Sequence, residues 1–290
     1  MFFGSLPALV TPFAAGRVDE AIFRDFVAWQ LAEGSDGLVP CGTTGEAATL
    51  TDEEHRRLVE IAVEVSGGKV PVIAGCGSNN TAHAIELTKA AQAAGATAAL
   101  HVPPYYNRPN QEGIYAHLAA VAEVGLPIVL YNVPARTITD IAVETMGRLA
   151  KLPNVVAVKD ATGNLARVSA QREACGTDFI QLSGNDDMAL GFNAMGGVGC
   201  ISVTANIAPK LCSDFQRATR EGRWDAALEL QDRLYPLHAA LFSDASPGPA
   251  KYALNRVRPE FPVELRLPMT PPSDASERAV DAALERAGLV

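Results

Sequence analysis

Val155-Val-Ala-Val-Lys159-Asp-Ala-Thr-Gly163 decides how the 290-residue chain is read. Four apolar residues make a run the length of a buried strand, and the run ends on a lysine, an aspartate and a turn. Seven further short apolar runs recur, near residues 6–10, 37–39, 70–74, 98–102, 128–131, 179–182 and 198–203. Amphipathic stretches separate them. Phe23, Phe26, Val27 and Leu31, and again Leu58, Ile61, Ala62 and Val65, fall at the i, i+3, i+4 spacing that puts one apolar stripe on a helix. Thr51 with Glu54 three residues on forms the capping-box pattern that starts the second of these.

Eight strands alternating with helices predict an α/β chain, a closed (β/α)8 TIM barrel over residues 1–222. A doubly wound open sheet is the alternative. It usually carries a Gly-rich phosphate loop at its first βα turn, and neither G-x-G-x-x-G nor GxxxxGK[ST] occurs. No strand-like run follows Glu221; residues 224–241, 249–257 and 273–287 read as helices, so residues 223–290 are expected as a C-terminal helical extension packed on the barrel.

The chain has Lys+Arg 24 against Asp+Glu 33, a formal net charge of -9, and no cluster of basic residues, which argues against a nucleic-acid partner. No apolar run reaches the roughly 18 residues of a membrane span. The five cysteines, Cys41, Cys76, Cys175, Cys200 and Cys212, are odd in number and widely spaced, suggesting a reducing compartment. The first residues lack a basic n-region and a long apolar stretch, so a cytoplasmic setting without membrane contact is expected. The histidines, His55, His83, His101, His117 and His238, form neither HxxxH nor HxH and are expected at surface or helical positions; no metal is called for.

In a barrel of this kind the chemistry sits where strands end. Lys159 closes an apolar run, where poor solvation disfavours an ammonium and leaves a nucleophilic amine; the plainer alternative is a strand-end ion pair with Asp160 or a neighbour. Tyr131 ends the preceding strand, within reach of that amine as a proton donor and acceptor. Cys41-Gly-Thr-Thr-Gly-Glu46 offers the hydroxyls of Thr43 and Thr44 on a tight turn whose amides can face a carboxylate. Arg136 can clamp a second carboxylate or stand as a solvated loop residue. Gly196-Gly-Val-Gly199 precedes its strand and reads as a turn on the opposite rim.

With these residues in order, the chain resembles the dihydrodipicolinate synthase family, within the pyruvate-dependent class I aldolases that include N-acetylneuraminate lyase. The likeness runs from Gly4-Ser-Leu-Pro-Ala-Leu-Val-Thr-Pro-Phe13, through Pro103-Pro-Tyr-Tyr-Asn-Arg-Pro109, Tyr131-Asn-Val-Pro-Ala-Arg-Thr137 and Ser183-Gly-Asn-Asp186, to Leu267-Pro-Met-Thr-Pro271. The resemblance implies a cofactor-free lyase in a homotetramer. Lys159 would form a Schiff base with pyruvate, and the enamine would attack L-aspartate 4-semialdehyde to give 4-hydroxy-tetrahydrodipicolinate, on the way to diaminopimelate and lysine. It further implies a proton relay of Tyr131, Thr43 and Tyr106, with Tyr106 reaching in from a neighbouring subunit. Thr44, Gly184 and Ile201 would help hold pyruvate or the lysine, and Arg136 would receive the semialdehyde carboxylate.

Sialic-acid lyases share the lysine and tyrosine but usually show Gly-Ser-Thr-Gly-Glu and lack the arginine at Arg136, which leaves an aldolase for a sugar-derived keto acid as the alternative. Of the family's lysine-effector site, His55, Asn79 and Tyr105 are present. His83 stands where inhibited members typically have glutamate, Asp52 stands where they have histidine, and Asn185-Asp-Asp187 departs from the commoner Gly-Asp-Asp.

Overall fold

The computed structural model describes residues 2–290. In chain order the strands are β1 (Gly4–Pro7), β2 (Phe13–Ala14), β3 (Arg17–Val18), β4 (Ile73–Gly75), β5 (Ala98–His101), β6 (Ile128–Asn132), β7 (Val155–Asp160), β8 (Ile180–Ser183) and β9 (Gly199–Ser202). The helices are α1 (Glu20–Ala32), α2 (Asp52–Ser66), α3 (Thr81–Ala93), α4 (Gln111–Ala122), α5 (Pro134–Thr137), α6 (Val143–Leu149), α7 (Ala166–Cys175), α8 (Ala189–Ala194), α9 (Pro209–Arg220), α10 (Trp224–Ala240), α11 (Gly248–Val257) and α12 (Asp274–Ala287).

Seven parallel strands pair in the order β1-β9-β8-β7-β6-β5-β4. The eighth stave is only residues 38 and 39. Leu38 bridges to Val72 and Val39 to Ala8, and the amides of Val39 and Leu9 donate to Pro7 O and Val39 O at 3.0 Å, closing the ring. Its shortness has a local cause, since Pro7, Pro40 and Pro71 flank it and supply no amide donor for a longer ladder. The predicted barrel is therefore present, with one strand contracted to a pair of bridges. The β2–β3 hairpin was not expected from the sequence, being two residues on each side.

Two apolar layers follow from the period of two along each strand. Leu6, Val39, Ile73, Leu100, Val129, Ala157, Leu182 and Ile201 fill the barrel, while Phe23, Phe26, Leu58, Ile61, Ile114 and Leu118 pack between barrel and helices. Thr51 Oγ1 accepts from Glu54 N and the Glu54 carboxylate accepts from Thr51 N, so the capping box starts α2 as read. On α1 the buried stripe is Phe23, Phe26, Val27 and Gln30, with Leu31 only half-buried. Gln30 is inside because its amide donates to Ala205 O at 2.9 Å and its oxygen accepts from Ser35 Oγ at 2.9 Å. Beyond α9, α10 packs on α9 and α12, and α11 on α12. Among the described residues no helix is long and apolar enough to cross a membrane.

Candidate active site

Tyr131 and Lys159 are register partners across β6 and β7, and both continue the inward-facing alternation set by Val129 and Ala157. The Lys159 Nζ lies 4.1 Å from the Tyr131 ring centroid, so the amine meets the π face rather than the hydroxyl. Both side chains are buried. The pleat sends the next residue outward: Asp160 accepts from Thr162 N at 2.9 Å, from Gln171 Nε2 at 2.5 Å and from Arg167 Nε at 3.3 Å. Asp160 thus serves the helix layer, and the Lys159–Asp160 ion pair weighed from the sequence does not form.

Around this pair, Ile201 is buried inside the barrel on β9. Gly184 follows β8; its amide donates to Asp160 O at 2.7 Å, and a Cβ there would stand 2.7 Å from Ala161 Cβ. The backbone after Lys159 and the backbone after β8 approach this closely only because residue 184 has no side chain.

The loop from Cys41 to Glu46 begins and ends on left-handed residues, with φ of 57° at both. Gly45 presses on Leu9 O, which a Cβ would meet at 2.8 Å, and Thr11 Oγ1 donates to Gly45 O at 2.7 Å. The amides of Gly45, Glu46 and Ala47 are used within the turn, on Gly42 O, Thr43 O and Gly42 O. Those of Thr43 and Thr44, like those of Cys41 and Gly42, find no protein acceptor among the described residues and are left to meet a carboxylate. The Thr44 side chain is buried and that of Thr43 exposed.

Thr43, Tyr131 and Arg136 line one cavity of about 430 Å³. Arg136 is carried there on α5, which opens with Pro134 and is held by Thr137 Oγ1 donating to Val133 O at 3.1 Å. Lys159 touches Tyr131 without lining the cavity itself. Tyr106 is 91% exposed with φ of 69° and does not join Tyr131 and Thr43 within this chain, whereas Tyr105 lines the cavity.

The same cavity continues past His55, Asp52 and His83. His55 Nε2 lies 2.6 Å from Gly75 O, which requires the proton on Nε2 and leaves buried Nδ1 an acceptor without a partner. His83 Nε2 pairs with Asp52 Oδ1 at 3.0 Å, and Asn79 is linked through its carbonyl, which accepts from Asn107 Nδ2 at 2.9 Å. His55, His83, His117 and His238 do lie on helices, but His55, His101, His117 and His238 are buried. Among the described residues no three His, Cys, Asp or Glu side chains gather as a metal site.

Residues 1–287 match the Dihydrodipicolinate synthetase family. The chain belongs to that family. It is 66% identical over the whole of both chains to the 4-hydroxy-tetrahydrodipicolinate synthase of Rhizorhabdus wittichii. Its fold superposes with a TM-score of 0.97 and 41% identity, over all of each chain, on the chloride-inhibited dihydrodipicolinate synthase of Acinetobacter baumannii complexed with pyruvate. With a TM-score of 0.95 and 38% identity, over 100% of this chain and 99% of the other, it also matches the enzyme of Cyanidioschyzon merolae with lysine bound.

For a dihydrodipicolinate synthetase-family chain, the part of the site that sequence reasoning missed is its C-terminal wall. Ser246, Pro247, Pro268 and Met269 line the cavity, although residues beyond 222 were read only as a helical extension. The available signal was Leu267-Pro-Met-Thr-Pro271, a loop motif with no periodicity of its own. Gly196-Gly-Val-Gly199 is a turn leading into β9, as read.

Proposed function

We propose that this chain condenses pyruvate with L-aspartate 4-semialdehyde through a Schiff base on Lys159, giving 4-hydroxy-tetrahydrodipicolinate for the diaminopimelate route to lysine. The observation that carries this reading is the buried Lys159 amine on the face of its register partner Tyr131. The amine attacks the ketone carbon of pyruvate, and the carbinolamine loses water to an iminium. Loss of a methyl proton gives the enamine, whose carbon adds to the aldehyde; the product amine then closes the ring and displaces Lys159. The A. baumannii relative with pyruvate bound supports the first substrate.

Each proton must be handed on locally. Tyr131 and Thr43 act as the relay, completed by Tyr106 of a neighbouring subunit in a homotetramer; the exposure of Tyr106 and its absence from its own cavity favour that reading. Thr44, with its free amide, Gly184 and Ile201 shape the pyruvate end. Arg136 receives the semialdehyde carboxylate. No cofactor enters this scheme. The far end of the cavity, lined by Tyr105 and by His55 with its open acceptor, is together with Asn79 the candidate effector site for lysine, supported by the lysine-bound C. merolae relative. Five free cysteines suit a cytoplasmic setting.

Borohydride reduction in the presence of pyruvate tests the scheme. A reduced adduct mapping to Lys159 is expected, and an unmodified Lys159 rejects it. A coupled assay comparing aspartate semialdehyde with sugar-derived keto acids, with and without lysine, tests the substrate and the effector. Tyr106→Phe is expected to slow turnover with the tetramer intact; an unchanged rate removes Tyr106 from the relay.

A further inference from the structure

The one fully buried lysine outside the barrel mouth lies on α11, far along the chain from the Cys41–Glu46 loop yet bound to its last residue. Lys251 is 0% exposed, and its Nζ lies 2.5 Å from Glu46 Oε1, whose side chain is 2% exposed. The same Nζ donates to Glu264 O at 2.7 Å and stands 4.3 Å from the Phe13 ring centroid. The second oxygen of Glu46 accepts from Arg266 N at 3.1 Å. Arg266 reaches on to both oxygens of Glu54 at 2.6 Å and to Thr49 O at 2.9 Å, and its guanidinium also lies 4.3 Å from the Phe13 ring centroid.

A buried ion pair is a weak source of stability relative to apolar residues of the same size, but it fixes geometry, because either charge left alone is heavily penalised. Here it fixes a loop whose two ends, Cys41 and Glu46, hold left-handed backbone that non-glycine residues adopt only when their surroundings enforce it. Thr43 and Thr44 are suspended between those ends. We propose that Lys251 and Glu46 are positioning residues for the reaction, anchoring the loop so that the Thr43 hydroxyl stays in line with Tyr131. This rests on the relay reading of Thr43 given above.

The test compares the parent, Glu46→Gln, the charge-neutral double variant Lys251→Met/Glu46→Gln, Thr43→Val, and the triple combination, all as intact assemblies. Glu46→Gln keeps the size of the side chain and the acceptor for Arg266 N but leaves Lys251 buried without its counter-charge, so the charge-neutral double variant supplies the folded comparison where Glu46→Gln does not. The expected result is a folded protein with kcat lowered roughly 100-fold, the penalty of about an ångström of misplacement, while KM for aspartate semialdehyde, bound at Arg136, stays within about twofold of the parent. The triple variant is expected to be no slower than the slower of its two parents, because both lesions act through one hydroxyl. Parental kcat in Glu46→Gln and the double variant beside a slowed Thr43→Val overturns the anchor alone, as do losses that multiply in the triple variant. Parental kcat in Thr43→Val overturns the relay, and the anchor with it.

Discussion

Lys159 and Tyr131 face each other across adjacent parallel strands, with the amine over the ring and not at the hydroxyl. In the proposed scheme ring and hydroxyl therefore have separable tasks: the π face supports the amine, and the hydroxyl moves protons. Tyr131→Phe keeps the first and removes the second. The expected outcome is a stably folded protein in which pyruvate is still captured on Lys159, but about 10²- to 10⁴-fold more slowly, the range lost with a positioned acid–base group. Trapping the adduct with borohydride at timed intervals measures this directly. Capture at the parental rate would show that the hydroxyl plays no part.

Lys159 is a buried amine whose neighbouring carboxylate, Asp160, is committed to Gln171 and Arg167 on the other face of the strand. Holding such a group favours chemistry over stability. Lys159→Met fills the same space without the amine. It is expected to abolish adduct and turnover while leaving the melting temperature equal to or above that of the parent. A marked drop in melting temperature assigns Lys159 a structural duty instead.

How much of this was legible beforehand depended on distance along the chain. Lys159 and Tyr131 each end an apolar run, Thr43 stands within a Gly-rich turn and Arg136 on the short helix after β6, and a barrel topology is enough to bring such strand-end positions together. The eighth stave at residues 38 and 39 was visible as an apolar run but not as two bridges, because the prolines that shorten it lie on three different segments. Lys251 sits in a stretch correctly read as helical, yet its charge gave no hint of burial: the partner that makes burial tolerable, Glu46, is supplied by the fold. The histidines were expected at surface or helical positions; His55, His83, His117 and His238 lie on helices, whereas His101 is on β5, and the partners that take His101 and His238 inside, Thr88 and Thr204, are supplied by the fold.

Buried histidines make the fold less stable in acid. His101, on β5 with Nε2 3.0 Å from Thr88 Oγ1, is held at a pKa of about 3 by loss of solvent, with neighbouring His117 adding to the effect. Burial lowers His55, His117 and His238 as well. An unfolded histidine takes up its proton near pH 6.5, so below that value the unfolded state binds more protons than the native one. The stability contributed by a neutral His101 is complete above about pH 6.5 and is lost as the pH falls towards about 3. Urea unfolding at pH 6.5 and 5 is expected to show His101→Gln losing about 1.5 kcal/mol less than the parent between the two. Equal losses would mean that His101 is not the group responsible.

Arg136 lines the cavity from α5 while Lys159 touches Tyr131 without lining it, so the proposed scheme has the two substrates recognised at different points. Arg136→Ala removes charge-assisted bonds to a carboxylate, of about 1.5–3 kcal/mol. KM for aspartate semialdehyde is expected to rise roughly 10- to 100-fold, with capture of pyruvate on Lys159 unaffected. Arg136→Lys should recover only part of the loss, because an ammonium lacks the planar fork. Steady-state kinetics with each substrate varied in turn decides; a rise confined to pyruvate reverses the assignment.

Gly75 shows how tightly the Cys41–Glu46 loop is seated. Its φ is ordinary, so no backbone demand requires glycine there; the demand is space. A Cβ at this position would stand 2.1 Å from Cys41 O and 2.9 Å from Gly42 N, both backbone atoms with nowhere to rotate. Gly75 N also donates to Pro40 O at 2.9 Å, and Gly75 O takes the bond from His55. Gly75→Ala must therefore push the loop away from β4, carrying Thr43 and Thr44 with it. We expect a destabilisation of about 1–3 kcal/mol, as for other overpacked sites, together with a kcat loss larger than tenfold. Gly68→Ala is the control: a Cβ there meets nothing within 4 Å, although φ is +76°, so it carries a backbone penalty of about 1 kcal/mol without loss of turnover. Should Gly75→Ala lose stability as Gly68→Ala does but keep full kcat, the position of this loop would not govern the rate.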